Sequence, residues 1–167
     1  MVSLEIKVED EEVRQALLRA MKKLGDLSPL MKDFGERMKR SVVQNFIQGG
    51  RPEKWKPLKT STLVSWAMRK RSLWGGGTLT RYGARAISGR KPLIDTGRLM
   101  KSITYRAGKD EVRIGTNVIY AAIHQFGGKA GRGRKVKIPA RPFLLIQDED
   151  KDYILRVTKR FIEEAIR

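Results

Sequence analysis

The chain has 167 residues, of which 40% are hydrophobic, and 36 Lys and Arg face 18 Asp and Glu for a net charge of +18. That length and apolar content suit one domain with a single core, not a chain disordered by composition, and no apolar run approaches the ~20 residues of a membrane span. With no cysteine and one histidine, His124, disulfides, thiolate metal sites and cysteine nucleophiles are excluded.

The charge is uneven. Residues 1–50 carry net +1, residues 51–92 net +10, residues 93–110 net +2 and residues 111–167 net +5. A central block of this kind implies a polyanionic partner, an acidic protein surface or a segment that orders on assembly.

In chain order, Leu4, Ile6 and Val8 alternate with Glu5 and Lys7, the pattern of a strand with one buried face. This acidic, alternating start argues against a secretory signal, so the expected setting is the cytoplasm. The acids from Asp10 to Glu12 suit a helix start. Val13, Ala16, Leu17, Ala20, Met21 and Leu24 form its apolar stripe, with Gly25 as the stop. Ser28–Pro29 predicts a second helix with the Ser28 hydroxyl as cap. Leu30, Phe34, Met38, Val42 and Phe46 are its stripe, ended by Gly49–Gly50.

Residues 50–92 hold most of the excess positive charge, all three tryptophans and Gly75–Gly76–Gly77. Apart from a short helix expected over about 60–71, capped by Thr60 or Ser61, they lack periodicity. They read as a flexible basic arm within a single domain spanning 1–167. Order returns at Leu93. Asp95 or Thr96 can cap a helical turn through Leu99. Ile103, Tyr105 and Ala107, then Val112 and Ile114, predict a hairpin about Gly108–Lys109–Asp110. Ile119 to Phe126 suits a short helix with Ile123 and Phe126 in the core, stopped by Gly127–Gly128. A basic glycine-rich loop over 128–137 follows. Val136 and Ile138 suggest a strand, and Asp148 to Arg167 a last helix with four acids at its start. The fold class expected is α+β: a small, mainly antiparallel sheet packed by N- and C-terminal amphipathic helices, with a long basic central excursion.

Three segments combine in a specific order: FIQGGRPEKWKPL (46–58), LIDTGRLMKSI (93–103), and IGTNVIYAAIHQFGG (114–128) followed by IPARPFL (138–144). Together they resemble the phage virion morphogenesis family, tail-completion proteins of Mu-like and related tailed phages. The resemblance spans about residues 28–165. It implies a structural protein of the tail or the head–tail (neck) junction, not an enzyme, with no catalytic residues, cofactor or metal. The partners implied are other tail or neck proteins, with a homo-oligomeric ring on the virion and a free state compatible with a monomer. The localisation implied is the virion, after assembly in the host cytoplasm, without membrane contact.

The motif residues also have physical readings of their own. In IDTGRL, Asp95 or Thr96 caps, Gly97 allows close backbone approach, and Arg98 pairs with a carboxylate or carbonyl. His124 reads as a hydrogen-bonded or exposed side chain, since one histidine without a nucleophile motif is a poor catalytic case. Phe126 and Gly127 belong to the helix and its stop. Pro139 and Pro142 force an extended path, Arg141 anchors the turn, and Phe143 plugs the core or a neighbouring subunit. Partner-contact candidates are Trp55, Trp66 and Trp74 with Arg69, Lys70, Arg71, Arg81, Arg85, Arg132 and Arg134, because aromatics and arginine are enriched at interfaces.

Two rival classes are weaker. A non-specific nucleic-acid-binding protein would use the basic, Trp-containing segment 51–92, and weak DNA contact is compatible with a neck protein. No helix-turn-helix or zinc-finger signature supports it. A metal-dependent nuclease needs clustered carboxylates, and only Asp95 and Glu111 lie near the expected sheet. Gly131–Arg132–Gly133 precedes a strand and lacks the Gly-Lys-Ser/Thr ending of a phosphate loop.

Overall fold

A computed structural model describes residues 25–69 and 80–166, together with Glu11 and Gln15. The strand expected over 3–8 and most of the first expected helix lie outside the described residues. Glu11 and Gln15 are helical, and Gln15 Nε2 donates to Glu11 Oε1 at 2.9 Å.

Helix α1 spans Ser28–Gln48 and is the spine of the fold. Its expected stripe is the observed buried face: Leu30, Phe34, Met38, Val42 and Phe46 are at most 5% exposed. The cap differs from expectation. Leu27 occupies the N-cap position with no side-chain cap bond. The Ser28 amide donates instead to Asp26 Oδ1 at 2.9 Å, and hydrogen bonding from Ser28, its side chain first and then this amide, holds the Asp26 carboxyl below the usual carboxylate range. The C-terminal stop is as expected: Gly49 adopts a left-handed conformation and the Gly50 amide returns to Asn45 O at 2.8 Å.

Helices α2 (Thr60–Arg69) and α3 (Arg81–Ser88) follow, then a single turn, α4 (Arg98–Lys101). Strands β1 (Thr104–Ala107) and β2 (Val112–Gly115) pair antiparallel, with Tyr105 opposite Ile114. Helix α5 covers Ala121–Phe126. Strands β3 (Gly128–Ala130) and β4 (Val136–Ile138) form a second antiparallel pair. The stretch expected as a loop over 128–137 is thus a hairpin whose tip is a 3₁₀ turn at Arg132–Arg134. Helix α6 spans Asp148–Ile166.

The fold is therefore α+β, and the described residues form two small two-stranded sheets where one was expected. Alpha1 crosses β1, β2 and α6 and joins two apolar clusters. Its N-terminal half packs with Ile154 and Val157 of α6. Its C-terminal half packs with Trp55, Leu99, Ile103, Val118 and Phe143.

Close packing of α1 on β1 depends on Gly35. A Cβ there would lie 2.2 Å from Cδ2 of the Tyr105 ring, far inside contact distance. Gly35→Ala is expected to gain helix propensity yet lose about 2 kcal/mol through overpacking. Thermal unfolding should show a melting point several degrees lower; an unchanged or higher one would contradict this packing.

Candidate partner-binding surface

The segment that leaves α1 is drawn inward by polar side chains. Ser41 and Asn45 lie on the buried stripe of α1. Arg51 reaches them both: Nε donates to Asn45 Oδ1 at 2.8 Å, and Nη2 to the Ser41 carbonyl at 2.8 Å and Oγ at 2.7 Å. Asp150 of α6, fully buried, receives Arg37 Nε at 3.0 Å, the Gln147 amide at 3.2 Å and the Ser41 hydroxyl. Arg51 also pairs with Glu149. These acids start α6 as expected, and beyond that Glu149 and Asp150 hold the far end of the fold to α1.

The three sequence segments converge next to this network. Asn45 Nδ2 donates to Phe143 O at 2.8 Å, and Trp55 Nε1 to Pro142 O at 2.9 Å. Gln125 makes three bonds with the Phe143–Leu144 backbone: its Oε1 accepts both amides at 3.0 Å and its Nε2 donates to Leu144 O at 3.0 Å. Arg141 donates to the carbonyls of Lys56 at 3.0 Å and Pro57 at 3.2 Å, and its amide to His124 O at 2.7 Å. Gly127, at φ 75°, would bring a Cβ within 2.8 Å of Ala140 N. This close approach in a left-handed conformation admits only glycine.

Phe143 is fully buried and Trp55 8% exposed, both in the core. Pro139 and Pro142 are half-buried. Phe126, expected in the core, is 70% exposed. Ala121 and Gln125, four residues apart, form the inward face of α5, and Phe126 lies about 100° round from Gln125. Asp95 does not cap α4: it pairs with Arg90 at 2.8 Å. The Arg98 amide donates to Thr96 Oγ1 at 3.3 Å, while Gly97, left-handed at φ 74°, is the N-cap. Gly97 serves that conformation, since the nearest atom to its added Cβ is Lys101 Cε at 3.7 Å. Arg98, Arg85, Arg132 and Arg134 are exposed. Trp74, Lys70 and Arg71, and the side chains of Arg69 and Arg81, lie outside what is described.

A cleft of about 390 Å³ opens between α2 and the IDTGRL turn. Leu58, Leu63, Leu93 and Ile94 supply apolar wall; Arg90, Lys91, Arg98 and Arg141 supply positive charge and, among the described residues, Asp95 the one negative charge. Trp66 lines it beneath Arg90, whose guanidinium carbon lies 3.4 Å from the ring centroid. Trp66 Nε1 and His124 Nδ1 are buried with no hydrogen-bond partner among the described residues. Burial, then the Arg141 charge, lowers the His124 pKa below the ordinary value of 6.5. Among the described residues no cluster of His, Asp and Glu could hold a metal, and no helix is long and apolar enough to cross a membrane.

Residues 8–163 match the model of the phage virion morphogenesis family. The chain belongs to that family. It is 40% identical over 165 residues to Mu-like prophage FluMu G protein 2 of Haemophilus influenzae, covering 98% of this chain and 99% of that one. It is 36% identical over 72 residues to a protein of Escherichia phage Mu named "Putative capsid assembly protein G", covering 42% of this chain and 46% of that one. No solved structure matches. The protein is thus a phage virion morphogenesis protein, of a family that is typically structural.

Two outcomes test the site's electrostatics. Asp150→Ala leaves Arg37 Nε, the Ser41 hydroxyl and the Gln147 amide without their acceptor, so it should cost about 3 kcal/mol, and Asp150→Asn less. Denaturant unfolding that ranks the two alike, or shows no loss, would contradict the clamp. For His124, a pKa lower in the folded than in the unfolded chain means that unfolding takes up a proton. Its contribution is complete above about pH 6.5 and is lost as pH falls through the folded pKa. His124→Gln should therefore flatten the fall in melting temperature between about pH 7 and pH 5. Identical profiles would refute this.

Proposed function

We propose that this morphogenesis protein completes the tail or the head–tail junction, through protein–protein contacts and without catalysis. The observation that carries the reading is the family match over 8–163, supported by near full-length likeness to a Mu-like prophage G protein. The phage Mu relative is named for capsid assembly, and a neck position is where head and tail meet. The motif residues support a structural reading: Asn45, Trp55, Gln125 and Arg141 hold backbone carbonyls inside the fold.

In this reading residues 1–167 act as one domain and 50–92 as its basic arm, adaptable against neighbours. The β3–β4 hairpin adds exposed Lys129, Arg132, Arg134, Lys135 and Lys137, while exposed Asp148, Glu149 and Asp152 start α6. Unlike patches on one chain suit head-to-tail contact between copies, the kind that closes rings. The nucleic-acid reading is less favoured: Trp55 is buried and Arg90 covers one face of Trp66, which leaves less aromatic surface for stacking on bases.

The test is electron microscopy of a lysate from a phage or induced prophage lacking the gene, with and without complementation. Filled heads beside separate or over-long tails, rescued by the wild-type gene, are expected. Normal joined virions would overturn the proposal.

A further inference from the structure

Arg141 poses a problem that the fold alone does not solve. It is 6% exposed, yet its hydrogen bonds run to neutral carbonyls of Lys56 and Pro57, and among the described residues no carboxylate lies within ion-pair distance. Burial accordingly lowers its pKa. A cation removed from water without a counter-ion is costly, and an anion delivered to it recovers that cost. Arg141 lines the 390 Å³ cleft, where Lys91 and exposed Arg98 add charge and Asp95 is already engaged by Arg90.

Two further observations fall on the same cleft. Leu93, on its apolar wall, is held at φ 64°, a left-handed conformation that is strained for a leucine and that recurs at ligand clamps. Trp66 and His124, each with a buried ring nitrogen that lacks a partner among the described residues, flank the same space. The volume lies within the range of small-ligand and side-chain pockets.

We infer that this cleft receives a short segment of a partner virion protein in which an aliphatic or aromatic side chain is flanked by carboxylates. The apolar side chain enters between Leu63, Leu93 and Ile94. The carboxylates meet Arg98 at the mouth and Arg141 behind it. A peptide fits better than a nucleic-acid backbone, because the wall is aliphatic and one face of the Trp66 ring is covered by Arg90. The virion origin of the segment rests on the assembly role proposed above; the chemistry of the cleft does not.

The test is a peptide array tiling the virion proteins of the phage that encodes this chain, probed with the full-length protein and with Arg98→Glu. Arg98 is exposed and makes no ion pair among the described residues, so the substitution should leave the melting temperature unchanged. Bound tiles should pair carboxylates with an apolar residue. Arg98→Glu should weaken the best of them by about tenfold or more, measured in solution. The same peptide should shift the Trp66 indole and His124 imidazole NMR signals. The inference falls if no tile binds, if binding ignores Arg98→Glu, or if bound tiles lack carboxylates. It falls also if a single-stranded oligothymidylate moves the same signals and displaces the peptide. A wild-type chain that binds no tile, but whose Trp66 and His124 signals move when residues 70–79 are replaced by glycine and serine, would assign the cleft to the chain's own segment instead. Separate heads and tails in the gene-deleted lysate alongside a blank array would sink the cleft and leave the assembly role standing.

Discussion

The structure turns on one buried carboxylate. Asp150 is fully enclosed and gathers Arg37, Ser41 and the Gln147 amide at the start of α6. Through Ser41 and Arg51 the same network reaches Asn45 and, beyond it, the Phe143 carbonyl. Apolar burial makes α1 adhere to its neighbours, but burial is not directional. Hydrogen-bonded charges are, and these fix where α6, the turn after α1 and the Phe143 segment sit relative to one another. That matters in a chain whose described strands are only three or four residues long and pair two by two. With so little sheet, irregular backbone must be held by side chains such as Gln125, Trp55 and Arg141.

Much of this was legible in the sequence where periodicity speaks. The stripe from Leu30 to Phe46, the Gly49–Gly50 stop, the Tyr105–Ile114 hairpin and the final helix all follow from apolar spacing and turn residues. What spacing could not give were polar residues that work inside. Ser41 and Asn45 fall on the α1 stripe, and that placement was the available signal: a polar residue on a buried face must have a partner. Gln125 carried the same signal by lying four residues after Ala121. Phe126 is apolar, but helical phase places it off the Ala121–Gln125 face, and phase outweighs hydrophobicity there. The second hairpin was hidden by the basic, glycine-rich composition of 128–137, which looks like a loop although Gly128 to Ala130 pairs with Val136 to Ile138. Asp95 looked like a cap because it precedes a helical turn; an arginine five residues earlier claimed it.

The candidate site was legible as three segments but not as one place. Sequence order separates residue 51 from residue 141, and only the folded chain shows that IHQFGG, IPARPFL and GGRPEKW are tied by a handful of backbone-directed bonds. Architecture absorbs most of those residues. Among what faces outward are positive charge on the hairpin, exposed Ile119 and Phe126, and the cleft beneath Arg98. A rigid, polar-latched interior carrying such a surface suits docking against neighbours, the role proposed above.

The central claim is a position at the tail or head–tail junction, and immunogold electron microscopy of purified, assembled virions tests it most directly. Antibody raised against this chain should decorate the neck or the upper tail end, at one place per particle. Gold spread over the capsid faces, or mature virions that carry none of the protein, would contradict it.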